Sequence, residues 1–71
     1  MYDCVVNRTG SKAWFDVRNE DPTSVLRMLY LMEQDVACPD DSESVSQLLA
    51  SVPVKRTPYR LECGDWFYRL T

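Results

Sequence analysis

Trp14 and Phe67, set among Arg18, Arg60 and Arg69 with Val5 beside them, are the residues of this chain with the most to offer chemically. Aromatic side chains supply large, rigid contact area, and Arg adds a planar charge that bonds bidentately and stacks on rings. That mixture is the chemistry of a protein-binding hot spot. Six of the eight basic residues are Arg, which favours contact duty over simple solubilisation.

Catalytic chemistry is poorly served. The chain has no His, so it holds no Ser–His or Cys–His pair and no imidazole ligand. Cys4, Cys38 and Cys63 lack the close spacing of a zinc site, and Gly10 and Gly64 are too few for a phosphate-cradling loop. The carboxylate pairs Glu33/Asp35 and Asp40/Asp41 fall on expected surface, without the burial that acid–base work uses. The expectation is a non-enzymatic protein with no cofactor and no metal.

The elements that must position the aromatic residues are two hairpins. If Gly64-Asp65 is a two-residue turn, Cys63 faces Trp66, Leu61 faces Tyr68 and Tyr59 faces Leu70 on one apolar face. Arg60, Glu62, Phe67 and Arg69 then share the other. If Arg8-Thr9-Gly10-Ser11 is a loop, Val6 faces Ala13, Cys4 faces Phe15 and Tyr2 faces Val17. That hairpin turns Asp3, Val5, Asn7, Lys12, Trp14 and Asp16 outward.

Between the hairpins lie two helical patterns. Asp21 as N-cap and Pro22 at the first turn start one helix, whose stripe of Val25, Met28, Leu29, Met32 and Val36 runs until Cys38-Pro39. The Met28–Met32 run reads as core against a sheet, with a plastic binding groove as the rival reading. Asp40-Asp41-Ser42 caps a second helix with Val45, Leu48, Leu49 and Val52 on one face, closed by Pro53. From Pro53 to Pro58 the chain runs extended, as a strap over the sheet or an edge segment.

The order is strand, strand, helix, helix, strand, strand. The expected fold is α+β: one compact domain, residues 1–71, with a four-stranded antiparallel sheet and both helices on one face. Its open outer face, bearing Trp14, Phe67, Arg60, Arg69, Arg18 and Val5, is the expected partner-binding surface.

Charge is unevenly spread within a net of −3. Glu33, Asp35, Asp40, Asp41 and Glu43 form an acidic stretch, and no Lys or Arg occurs from Met28 to Val54. Capping and solubility account for it, and docking into a basic groove on another protein is the functional alternative. On the outer face, Lys12, Arg18, Arg60 and Arg69 are nearly cancelled by Asp3, Asp16 and Glu62. Lys55 and Arg56 of the strap would add to that balance. A single-stranded nucleic-acid binder is therefore a rival with weak electrostatics. A homodimer that buries the open face is another.

Three cysteines cannot all pair, and no apolar run near the N-terminus suits a signal peptide or a membrane span. This points to a reducing, cytoplasmic setting with Cys4 and Cys63 as inward-facing thiols. A small acidic chain of this kind fits an inhibitor or adaptor of a larger protein machine, of the type phages and plasmids encode against host defences.

Overall fold

The computed structural model describes residues 2–70, with residues 2 and 3 described by their backbone alone. Seven elements follow one another: β1 (Tyr2–Arg8), β2 (Trp14–Asp16), α1 (Pro22–Glu33), α2 (Ser42–Ala50), β3 (Lys55–Arg56), β4 (Arg60–Cys63) and β5 (Trp66–Leu70). The strands form one antiparallel sheet in the order β2-β1-β5-β4-β3. The α+β class with two helices holds, but the sheet has five strands where four were expected.

The fifth strand comes from the segment between the prolines. Lys55 and Arg56 pair with Glu62 and Leu61 at the sheet edge, the one place where flanking prolines remove no ladder bond. Thr57 then turns the chain into β4: its Oγ1 accepts from the N–H groups of Tyr59 (3.2 Å) and Arg60 (3.0 Å). The segment is thus an edge and does not strap across the outer face.

The C-terminal hairpin has the expected register, with Cys63 opposite Trp66 and Leu61 opposite Tyr68. Gly64 takes φ +58 at the first turn position, a type II′ pattern that matches the twist of the flanking strands. Tyr59 lies just before β4, where its carbonyl accepts from Leu70 N–H at 2.7 Å.

The N-terminal hairpin is displaced from expectation by two residues. Val6 faces Phe15 and Asn7 faces Trp14, with Arg8 N–H donating to Ala13 O at 3.1 Å, so the loop is Thr9-Gly10-Ser11-Lys12. A slip of two preserves which side each residue faces, whereas a slip of one would reverse it. Between Tyr2 and Val6 the pairing of β1 with β5 is irregular, and Cys4 is exposed instead of inward. No disulfide joins the cysteines, and β5 separates the strands of Cys4 and Cys63. The expected placements of the Tyr2 and Asp3 side chains lie outside the described residues.

The core gathers Val6, Val17, Leu26, Leu29, Val52, Cys63, Trp66 and Tyr68. Helix α1 begins as expected, with Asp21 as N-cap, and lies across β4 and β5. It ends at Glu33, several residues before Cys38-Pro39, because Asp35 adopts φ 56. Asp35 N–H donates to Met32 O and Val36 N–H to Leu31 O, each at 3.2 Å, the two bonds of a Schellman cap. Val36 consequently lies beyond the helix it was expected to extend.

Helix α2 stacks on α1, not on the sheet as expected. With α1 already across β4 and β5, the apolar stripe of α2 finds its partner on the neighbouring helix, and no α2 residue is fully buried. Arg27 Nε donates to Val52 O at 2.9 Å and ties α1 to the end of α2.

Candidate protein-binding face

One row of side chains crosses all five strands on the face opposite the helices. Pairwise register places Trp14 beside Asn7, Asn7 beside Phe67, Phe67 beside Glu62 and Glu62 beside Lys55. Residues paired across neighbouring strands share a face, so both aromatics open to the same side. Trp14 is 61% exposed on the three-residue edge strand β2, and Phe67 is half-buried on the central strand β5.

Arg60 is held from two directions. Its guanidinium carbon sits 4.7 Å from the Phe67 ring centroid, a cation–π contact, while Nε (2.8 Å) and an Nη (2.7 Å) both donate to Glu62. The pairing follows from the strand, because residues two apart on β4 point the same way. Arg69 faces Arg60 directly across the β4–β5 ladder, a like-charge juxtaposition that the Glu62 carboxylate relieves.

The other expected contact residues are more peripheral. Val5 is half-buried opposite Asp16, and Arg18, just past β2, pairs with Asp16 at 3.4 Å while its N–H donates to the same carboxylate. Lys12 belongs to the hairpin loop. Lys55 joins the face through its place opposite Glu62, whereas Arg56 turns to the helix side beside Leu61, Tyr68 and Leu70. Among the described residues no ion pair engages Arg69 or Lys55.

The fold engages part of the expected acidic surface. Glu33 is drawn to the sheet, where it accepts from Arg8 Nε, and that bond holds the Arg8 guanidinium above its ordinary pKa. Asp41 caps α2 by accepting from Ser44 N–H at 2.9 Å, and this bonding keeps its carboxyl below the usual range. Asp35 forms the left-handed cap of α1, while Asp40 and Glu43 stay in solvent at the start of α2. Burial pushes the Cys63 thiol up, which suits a packing role.

Sequence reasoning missed Lys55 as a fixed member of the face, and it overestimated how much of the Met28–Met32 run is core. Leu29 is buried, but Met28 and Met32 are not. Among the described residues no group of His, Cys, Asp and Glu is arranged to hold a metal, and no helix is long and apolar enough to cross a membrane. Compared with known proteins, the chain matches no family model, no curated protein and no solved structure.

Proposed function

We propose that this protein is a small non-enzymatic binding module that seats a protein partner on its open sheet face, as an inhibitor or adaptor does. The observation that carries this reading is the shared row of Trp14 and Phe67, with Trp14 in solvent and Arg60 stacked beside the ring. An exposed Trp in one row with a second aromatic and a pre-positioned Arg is the composition of an interface centre. Arg69 and Lys55 supply charge at its margin.

Electrostatics favour a protein over a nucleic acid. Arg60 is paired with Glu62 and Arg18 with Asp16, which leaves Arg69 and Lys55 as the unneutralised cations of the face. Two phosphate contacts on a single strand give a salt-dependence slope of only about −1.4, too shallow to drive strong binding.

The test is affinity capture with wild type, with Arg69→Ala, and with Trp14→Ala combined with Phe67→Ala, each checked for fold by circular dichroism. The expected result is one partner recovered by wild type, reduced with Arg69→Ala and lost with the aromatic pair. Recovery of that partner at equal yield by a folded aromatic-pair variant contradicts the reading.

A further inference from the structure

The helix side of the molecule exposes a second apolar surface. Met32 is 71% exposed, Phe15 54% and Met28 52%. The two methionines form a ridge between two troughs. One, of about 140 Å³, lies between α1 and α2, with Leu31, Cys38, Val45 and Leu48 among its walls. The other, of about 220 Å³, lies between α1 and β2, where Phe15 overhangs the helix beside Asp16 and Glu20. Phe15 shares the inward side of the sheet with Val6, but α1 passes under β4 and β5 and leaves it uncovered.

The charged residues that line the troughs, Asp16 and Glu20, are both acidic, although Asp16 already holds Arg18. Asp35 follows the end of α1, and Asp40 and Glu43 flank the start of α2. From Met28 to Val54 there is no Lys or Arg. Among the described residues no ion pair reaches Glu20, Asp35, Asp40 or Glu43. These carboxylates are therefore available to an outside cation.

We propose that the Met28–Met32 ridge and its two troughs dock an amphipathic helix of a partner protein, its apolar stripe laid on the methionines and its flanks carrying Lys or Arg. Methionines are unbranched and adaptable, and helix-in-groove recognition uses such surfaces. Helix α1 has twelve residues and is roughly 18 Å long, which fits an occupant of about three turns. The acidic margin selects among occupants. A second copy would bring the same carboxylates against themselves, and an anionic membrane or a nucleic acid would be repelled. A basic helix gains from both the groove and its margin.

The ridge and the open face carrying Trp14 and Phe67 lie on opposite sides of the sheet. The probe is a fluorescein-labelled peptide of about eighteen residues, long enough to be helical, with Leu at i, i+3, i+4 and i+7 and Lys elsewhere. Its control replaces every Lys by Glu. The Leu–Lys peptide is expected to raise anisotropy saturably and to slow alkylation of Cys38 while leaving exposed Cys4 unchanged. Met28→Ser with Met32→Ser, both solvent-facing and so compatible with folding, is expected to weaken it about tenfold. Asp35→Asn, Asp40→Asn and Glu43→Gln together are expected to weaken it several-fold and flatten its salt dependence. Trp14→Ala is expected to bind it as wild type does.

Equal binding of the Leu–Glu peptide, or unchanged binding by the double Ser variant, overturns the proposal. So does a concentration-dependent dimer in sedimentation that the double Ser variant abolishes, since the occupant is then a second copy.

Discussion

Arg60 stands over Phe67 with its guanidinium carbon 4.7 Å from the ring centroid, held there by Nε and an Nη that both donate to Glu62. A flat cation fixed on a ring is spared part of the ordering cost that a free Arg side chain meets on binding. Arg60→Lys keeps the charge but loses the fork and the stacking. The expected outcome is partner affinity lower by about tenfold, roughly 1.4 kcal/mol, with folding stability changed by less than about 1 kcal/mol. Titration of the captured partner beside a thermal melt reads both.

Gly64 packs against Tyr30, and this contact couples the C-terminal hairpin to α1. A Cβ on Gly64 would lie 2.7 Å from the Tyr30 ring, at a residue already held at φ +58. Gly64→Ala is expected to cost about 2 kcal/mol, from left-handed strain and from the clash together. In a Tyr30→Ala background the same change should cost less, since the clash is gone. Chemical denaturation of the four proteins in this cycle gives the coupling, and additive costs would show that the ring contact plays no part.

Asp35 closes the Schellman cap of α1 at φ 56, where glycine is the usual occupant. Asp35→Gly is expected to stabilise the protein by about 0.5 to 1 kcal/mol, visible as a higher melting temperature. A lower melting temperature would mean that the Asp side chain contributes more than its backbone strain costs.

Asp41 is expected to make the protein sensitive to acid. Ser44 holds its carboxyl below the usual range through the cap hydrogen bonds, so the unfolded chain takes up a proton first as pH falls. The cap's stabilisation is fully present above the ordinary carboxylate value of about 3.9 and is lost as pH drops through the lowered folded-state value. Asp41→Asn also caps well but does not titrate. Melting curves from pH 7 to pH 2 should therefore show a shallower acid limb for the variant, with little change at neutral pH.

Local constraints explain which parts of this architecture could be read from residues alone. A two-residue turn at Gly64-Asp65 allows one register, so the pairs Cys63/Trp66 and Leu61/Tyr68 were legible. The four-residue N-terminal loop tolerates a slip of two with no change of face, so Val6 found Phe15 instead of Ala13 while Trp14 stayed outward. Pairing of β1 with β5 joins the two ends of the chain and has no local signal, and the irregularity that exposes Cys4 arises from it. Helix α2 carries a clear apolar stripe, but a stripe does not name its partner, and the partner is α1. The candidate face was legible as far as alternation reaches: Trp14, Phe67, Arg60 and Arg69 do share one side. Lys55 was added to it only as part of a strap and together with Arg56, because a two-residue strand between prolines has no periodicity to read.

Whether the face around Trp14 meets a protein partner, as proposed, can be read by site-specific photocrosslinking. p-Benzoylphenylalanine is placed at position 14 in one protein and, as a reference, at Ser46 on the exposed side of α2 in another. Irradiation in the presence of the captured partner is expected to give a covalent adduct from position 14 and none from position 46. An adduct from position 46, with position 14 unreactive in a folded protein, would contradict the proposed contact.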